Sequence, residues 1–527
     1  MSQASQRRMG GQPVFILNDD SSRTKGRDAQ SSNIAAGKAV AEAVRTTLGP
    51  RGMDKMLVGS SGEVVITNDG ATILNEMDIE HPAAQMIVEV AQTQEDEVGD
   101  GTTTAAVLAG ELLAQAEDLF EDDVHPTTIV EGYHEAARIT QEAINEITVE
   151  GEVDDDHLRA VAESSMTGKG TGDISAEKLA EIVVDTVKGV RTDEGIARDE
   201  IRVQTQVGGS SSATKLVEGV IVDEEPVNEN MPRSVEDGTV AVLDMELGVR
   251  EANIDAEYNI TDIDQLNAAI EAEEGELRGY TEKLSEAGVD VAFVTDDVED
   301  RVASALAEAG ILAFENVGNE DARAVARAVG AKRIGSLEDL DTDDFGYVES
   351  IAVETYGDDE LAFVEGGAEA EAVTLFLRGG TEHVVDELER AIDDALDVVT
   401  AALDSGGIVP GAGATEIAIA ERVRGEAASV SGRKQLAVEA FADAVEVLPR
   451  TLARNTGMDP IDALVDLRSA YDSTGSAGII SKGQTGEVAD PIEEGVFDPA
   501  AVKREAVESA TESATMIVRI DDIISAD

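Results

Sequence analysis

Gly99-Asp100-Gly101-Thr102-Thr103-Thr104 lies between two runs that keep apolar residues at helical spacing, Ile87, Val90, Ala91 and Val98 before it and Ala105, Leu108, Ala109, Leu112 and Ala116 after it. The segment therefore opens a helix. The first turn of a helix has unpaired backbone N–H groups and the positive end of the helix dipole, so three hydroxyls placed there surround an anion with donors. Gly99 and Gly101 let the backbone approach that anion without a Cβ in the way. Asp100 beside it suits a hard cation such as Mg²⁺, which binds through one or two carboxylates plus phosphate oxygens. A plain Asp-Gly turn followed by threonine N-capping accounts for the same residues.

The chain has 527 residues, enough for about three domains with ample cores. Hydrophobic residues make up 42% and are spread along it, and no apolar stretch approaches the ~20 residues of a membrane span. Met1 to Pro13 is polar, carries Arg7 and Arg8 and lacks an apolar core, so it does not read as a secretory signal. The absence of cysteine excludes disulfides, thiolate metal sites and a cysteine nucleophile. A cytoplasmic location is expected. The net charge of −70, from 110 Asp plus Glu against 40 Lys plus Arg, repels nucleic acid and anionic membranes. Amphipathic periodicity throughout separates the chain from acidic disordered sequences. A folded protein from a high-salt cytoplasm, where counterions screen the repulsion within a few Å, fits this charge.

Several segments organise the rest. Ile34, Ala41, Val44 and Leu48 form a helical stripe that stops at Gly49-Pro50. Val64 to Thr67, Asn68-Asp69-Gly70 and Ala71 to Leu74 read as strand, turn, strand. Gly168-Lys169-Gly170-Thr171-Gly172-Asp173 marks a flexible connection at a domain edge. From about 218 to 370, short β runs (Val240 to Leu243, Val291 to Val294, Ile311 to Phe314) alternate with helix patterns, which predicts an inserted α/β domain. Within it, Gln265 to Leu284 is a charged helix with a thin apolar seam, Leu266, Ile270, Leu277, Tyr280 and Leu284. After Gly379-Gly380 a long helix is predicted to about Leu403, with Asp394 off its apolar stripe. Helical ends around an α/β middle, with a β-rich Met516 to Ile520, predict a discontinuous domain formed by both termini.

No GxxxxGK[ST] occurs, which excludes a Walker-type loop. Thr47-Leu48-Gly49-Pro50-Arg51-Gly52 is a second phosphate candidate, or a simple helix stop. Asp69 reads as a water-activating acid or as a turn residue. Asp394 could deprotonate a water in line with a γ-phosphate. Lys169, in its glycine-rich loop, could sense phosphate or be a solvated lysine. His81, His125, His134, His157 and His383 show no metal-ligand spacing.

Together, Thr47 to Gly52, Asn68 to Leu74 and Gly99 to Thr104 resemble the equatorial nucleotide site of the chaperonins. Met166 to Lys169, Met231-Pro232-Arg233, Leu377-Arg378-Gly379-Gly380-Thr381-Glu382 and Ser509-Ala510-Thr511-Glu512 are similar to the group II branch, the archaeal thermosomes and their eukaryotic cytosolic relatives. The resemblance, from a halophilic archaeon on the charge, covers nearly the whole chain. It implies a multidomain α and α/β fold: a mostly helical equatorial ATP-binding domain at 1–153 and 408–527, an α/β intermediate domain at 154–217 and 372–407, and an α/β apical domain at 218–371 with a helical lid protrusion at about 253–285.

The implied activity is ATP hydrolysis by a chaperone that encloses unfolded protein clients in a stacked double ring of identical or paralogous subunits. The implied cofactors are ATP and Mg²⁺, with a monovalent cation such as K⁺. By the resemblance, Asp100 binds Mg²⁺, and Gly101, Thr102, Thr103 and Thr104 hold phosphates with Leu48, Gly49 and Pro50. Asp394 is the water-activating aspartate, Asp69 the second catalytic carboxylate and Lys169 the γ-phosphate sensor. Asp498 contacts the ribose, and Gly478 to Ile480 lie near the adenine. The family's Gly-Gly-Gly beside the nucleotide is Gly411-Ala412-Gly413 here, which bears on nucleotide affinity or pose. Val14 to Leu17 and Met516 to Ile520 resemble strands that join sheets between subunits, and Gly406-Gly407 and the Lys169 loop resemble hinges. A nucleotide-binding ring or filament scaffold without productive folding is the rival reading.

Overall fold

The computed structural model describes residues 22–59, 62, 64–149, 153–192, 195–249, 263–338, 341–367, 372–404 and 407–525. The chain divides into two compact units, residues 1–150 with 408–527 and residues 151–407. We call them the split unit and the inserted unit.

The split unit is built around helix Thr102–Glu121, whose first half is buried nearly all round and whose alanines, leucines and valines are all buried except Ala114. A helix that is apolar all round must be enclosed. Arg27–Val44, Pro82–Val98, Lys434–Val445 and Ala500–Val518 pack around it. The tightest crossing has no room for side chains. A Cβ on Gly110 would lie 2.2 Å from Ala41 Cβ, and one on Gly37 would lie 2.6 Å from Leu113 Cδ1. Short β pairings tie distant segments together. Ser22–Lys25 runs antiparallel to Asp522–Ser525, and Ile408–Pro410 runs antiparallel to Phe497–Pro499.

The inserted unit holds two sheets. Strands Ile201–Val207, Val373–Gly379 and Lys215–Val217 form the smaller, with Val373–Gly379 in the middle. Helices Asp155–Met166, Ala176–Gly189 and Glu382–Asp404 accompany it. The larger sheet is seven-stranded. Its order is Leu312–Phe314, Val291–Val294, Ser234–Leu243, Gly346–Tyr356, Asp359–Gly367, Gly219–Val222, with Arg333–Ile334 also paired to Ser234–Leu243. The parallel strands at one side are buried on both faces, as their unbroken apolar runs require. Phe293 and Phe314 stack there with ring centroids 5.0 Å apart. The multidomain α and α/β class expected from sequence is borne out.

Two local expectations are corrected. Ala71 to Leu74 is not a strand, because Gly70–Glu76 is a helix capped by Asp69, and Val64–Thr67 pairs instead with the upstream Lys55–Val58. Met516 to Ile520 is not a strand either. Helix Ala500–Val518 ends within it, with Ile517 and Val518 buried and Arg519 as its cap, and the strand follows at Asp522–Ser525. Val14 to Leu17, Gly406 and the first part of the expected lid protrusion, 253–262, lie outside the described residues. Helix Ile263–Glu286 covers the expected Gln265 to Leu284, and Leu277, Tyr280 and Leu284 on its seam are buried. Among the described residues, no helix is long and apolar enough to cross a membrane.

Glu446, between helices Lys434–Val445 and Val447–Asn455, is buried and bound by two arginines. Arg424 Nη1 donates to its Oε1 at 2.7 Å, and Arg468 Nη2 donates to its Oε2 at 2.6 Å. Asp443 and Glu421 face the same arginines. Burial pushes the Glu446 carboxyl up, but the Arg424 and Arg468 hydrogen bonds and charges outweigh it, so its pKa lies below the ordinary glutamate value. A lowered folded-state pKa gives stability that is present above the unfolded value and lost as pH falls through the folded one. Below about pH 4.5, melting temperature at constant high KCl should therefore fall less steeply in Glu446→Gln than in the wild type. At neutral pH that variant should already be less stable by about 2–3 kcal/mol.

Gly110→Ala provides a test of the helix crossing. In an open helix this change gains about 0.5–1 kcal/mol, whereas overpacking costs about 1–3 kcal/mol. With the rigid Ala41 Cβ at 2.2 Å, the net sign should be destabilising, read as a lower denaturation midpoint.

Candidate functional site

Helix Pro82–Val98 ends on Gly99 at φ 70°, and helix Thr102–Glu121 begins after Gly101 at φ 82°. Both are left-handed conformations that favour glycine. Gly101 is also fixed by space, since a Cβ there would lie 2.8 Å from Val502 Cγ1 and 2.9 Å from Gln94 Nε2. Gln94 is fully buried, and its Nε2 donates to the Asp100 carbonyl at 2.7 Å and to the Val502 carbonyl at 3.2 Å. A side chain thus sets the path of the loop from below.

Asp69 and the threonines meet at this helix start. Asp69 Oδ2 accepts from the Thr72 N–H at 2.6 Å, and its Oδ1 accepts from the Thr102 hydroxyl at 3.1 Å. The neighbouring Gly70 lies so close that a Cβ would be 2.4 Å from Thr103 Oγ1. The Thr47 and Thr103 hydroxyls are 3.4 Å apart, and Thr47 Oγ1 donates to the Val44 carbonyl at 2.8 Å. The Thr47 to Gly52 turn is therefore part of the same site. Asn455 Nδ2 donates to the Leu48 carbonyl at 2.8 Å and the Arg45 carbonyl at 3.2 Å. Arg51 Nη1 donates to the Gln484 carbonyl at 2.6 Å, joining the turn to the hairpin Gly478–Lys482 and Thr485–Ala489.

The C-terminal half of the split unit closes the other side. A Cβ on Gly49 would lie 2.3 Å from Leu452 Cδ2, and one on Gly413 would lie 3.3 Å from Leu452 Cδ1. One leucine spaces the two glycine turns. The Ala412 carbonyl accepts from the Ile479 N–H at 2.8 Å, and a Cβ on Gly478 would lie 3.0 Å from Ala412 Cβ. Strand Gly478–Lys482, with Ile480 in it, is thereby set beside Gly411 and Ala412. A Cβ on Gly411 would lie 3.3 Å from Asp498 Oδ2.

Ala412 itself has φ 55°. Among the described residues, the other non-glycine positions with positive φ are Asp123, Asp237 and Asn316, of the Asp and Asn types that tolerate this region best, and alanine is not one of them. The left-handed conformation costs a Cβ-bearing residue roughly 1–2 kcal/mol. Glycine gives back part of that through the entropy of the unfolded chain. Ala412→Gly should raise stability by roughly 0.5–1 kcal/mol in thermal unfolding, and a lower melting temperature would count against strain at this position.

Asp394 and Lys169 lie in the inserted unit. Their side chains form an ion pair and are only 18% and 16% exposed. Asp394 therefore does not point freely into solvent as its place off the apolar stripe suggests. Around it on helix Glu382–Asp404, Arg198 bridges Asp393 at 3.0 Å and Asp397 at 2.9 Å. Burial holds the Asp393 carboxyl above the ordinary aspartate value even though Arg198 pulls it down.

The structure brings Asp69, Thr102 and Thr103, the Thr47 to Pro50 turn, Gly411, Ala412, Gly478 and Asp498 into one connected set of contacts, and pairs Lys169 with Asp394. Sequence reasoning missed Gln94, Leu452, Asn455, Glu416 and Lys503. Among these, Lys503 carried a signal. A lysine near the start of helix Ala500–Val518 opposes the helix dipole, so it calls for acidic partners. Among the described residues, no three His, Asp or Glu side chains converge to cage a metal. A cation at Asp100 would instead share its shell with phosphate oxygens, as Mg²⁺ commonly does.

Comparison with known proteins defines the class. The TCP-1/cpn60 chaperonin family matches residues 40–527, and the chain belongs to that family. It is a group II chaperonin, an ATP-dependent chaperone and an ATPase. Thermosome subunit 3 of Haloferax volcanii is 71% identical over 517 residues, 98% of this chain and 99% of the relative. Thermosome subunit 1 of the same organism is 54% identical over 523 residues, 99% and 93% of the two chains. Thermosome subunit alpha of Halobacterium salinarum is 52% identical over 520 residues, 98% and 92% of the two chains. The family binds nucleotide. Of the two functional readings raised by the sequence, this selects the chaperone.

Proposed function

We propose that the split unit is the equatorial domain and that its connected site holds ATP with Mg²⁺. The observation that carries the reading is the Asp69–Thr102 contact at the start of the buried helix Thr102–Glu121, which sets hydroxyls, N–H groups and a carboxylate around one point. Asp100 is the residue for Mg²⁺, which when bound offsets phosphate charge. Gly101 and Thr102 to Thr104, with Leu48, Gly49 and Pro50, hold phosphate oxygens. Gly411, Ala412, Gly478 and Ile480 face the base, and Asp498 accepts from the ribose. Asp69, fixed by Thr72 and Thr102, orients water as the second catalytic carboxylate.

In the inserted unit, residues 154–217 and 372–407 form the intermediate domain and 218–371 the apical domain, with 253–285 as the lid protrusion. Asp394 is the general base that takes the proton of the attacking water. While Lys169 is paired with it, one carboxylate oxygen is engaged, and a lysine drawn to the γ-phosphate releases that oxygen for the proton. The working particle is a stacked double ring in the cytoplasm, enclosing unfolded protein clients and using a monovalent cation such as K⁺. Haloferax volcanii has at least two thermosome subunits similar to this chain, which supports a ring that mixes paralogues over one of identical subunits.

General-base removal typically costs about 10²–10⁴ in rate. Asp394→Ala should keep ATP binding in an equilibrium titration yet release phosphate roughly a hundredfold more slowly or worse, and fail to refold a denatured client. Turnover at the wild-type rate in that variant would overturn its assignment. Asp100→Ala should instead weaken nucleotide binding itself, and the defect should shrink as Mg²⁺ is raised.

A further inference from the structure

We propose that Lys503 is a positioning residue for the nucleotide, a buried ammonium that fixes the Asp498 carboxylate for the ribose hydroxyls. The inference rests on the reading of Asp498 as the ribose contact. Lys503 Nζ lies 2.8 Å from Glu416 Oε1 and 2.8 Å from Asp498 Oδ2. The three side chains are graded in exposure, 6% for Glu416, 12% for Lys503 and 27% for Asp498. The network therefore starts in the interior and ends on the one carboxylate that reaches the surface.

Its placement runs against local preference. Lys503 lies near the positive end of helix Ala500–Val518, where the dipole disfavours a cation. Burial alone would push its ammonium down, yet the Asp498 and Glu416 charges hold it above the ordinary lysine value, so it stays a cation. Glu416 is as unusual. Its Oε2 has no hydrogen-bond partner among the described residues, and Glu416 lines a small cavity with Thr104, Leu108 and Lys503. A buried ion set with an unsatisfied oxygen is a poor way to stabilise a core, because apolar side chains of similar volume do as well or better. Its value lies in geometry. With Oδ2 held by Lys503 and set beside Gly411, Asp498 cannot rotate freely, and its other oxygen is set to accept from a hydroxyl. Thr104, at the cradle, lines the same cavity, so the ribose and phosphate ends of the site share one buried anchor.

The test compares ATP with 2′-deoxy- and 3′-deoxy-ATP on the assembled full-length protein in multimolar KCl, reading half-saturation and maximal rate separately. A hydrogen bond to a charged group is worth about 1.5–3 kcal/mol, so the wild type should prefer ATP over at least one deoxy analogue by about tenfold or more. Asp498→Ala should erase that preference. Lys503→Met should reduce it to below about threefold, mainly through half-saturation, and Lys503→Arg should restore most of it. Since Lys503→Met leaves the Glu416 and Asp498 carboxylates unneutralised, Glu416→Gln combined with Lys503→Met gives a charge-balanced version in which the preference should also be lost. If Asp498→Ala keeps the wild-type preference, the ribose reading fails and takes this inference with it. If Asp498→Ala loses the preference while the charge-balanced variant keeps it, Lys503 has no positioning role and the ribose reading stands.

Discussion

The close crossing of helices Arg27–Val44 and Thr102–Glu121 is the constraint on which the split unit depends. Gly37 and Gly110 remove side chains where the two backbones meet, and Ala41 fills what remains. That contact fixes the axis of a helix enclosed on all sides, and with it the direction of its free N–H groups. The cradle is thus rigid because of packing about two to three turns below it. Gln94 adds a second restraint by holding the Asp100 carbonyl, so loop and helix cannot drift apart.

The charge distribution follows a different logic. A chain with 40 basic residues against 110 acidic ones can place nearly every cation where it neutralises several acids. Arg424, Arg468, Arg198 and Lys503 each face more than one carboxylate. Exposed acids find a cation in places, as Asp123 does in Arg27, but acids outnumber cations and the remainder are left to the salt of the solvent, which screens them within a few Å at molar strength. The buried acids Glu416 and Glu446, which salt reaches poorly, receive Lys503 and the pair Arg424 and Arg468.

How much of this was legible in the sequence depended on range. The cradle could be read because glycines, threonines and flanking helical stripes are local signals. Asp69 to Leu74 misled because Asn-Asp-Gly is a strong hairpin signal, and a four-residue apolar run carries no period long enough to separate strand from helix. The structure uses Asp69 as a helix cap, a role open to the same residue type. Met516 to Ile520 misled for a related reason. Its β-branched residues finish a long helix buried nearly all round, where tertiary packing overrides propensity. The residues beneath the site, Gln94, Glu416 and Lys503, each have at least one partner far away in the chain, Gln94 in Val502 and Lys503 in Glu416. Only the dipole conflict at Lys503 leaves a trace in sequence.

The split unit is interrupted by some 250 residues, since the inserted unit runs from 151 to 407. During synthesis, which proceeds from the N-terminus and lets domains fold as they emerge, the cradle threonines leave the ribosome early. Helix Ala500–Val518, which packs on the cradle helix and carries Lys503, leaves last. The nascent chain thus makes its threonine cradle long before Gly478, Asp498 and Lys503 exist to close it. On the proposed reading of the site, nucleotide competence waits for this last helix, and a subunit terminated before it lacks the ribose side of the site.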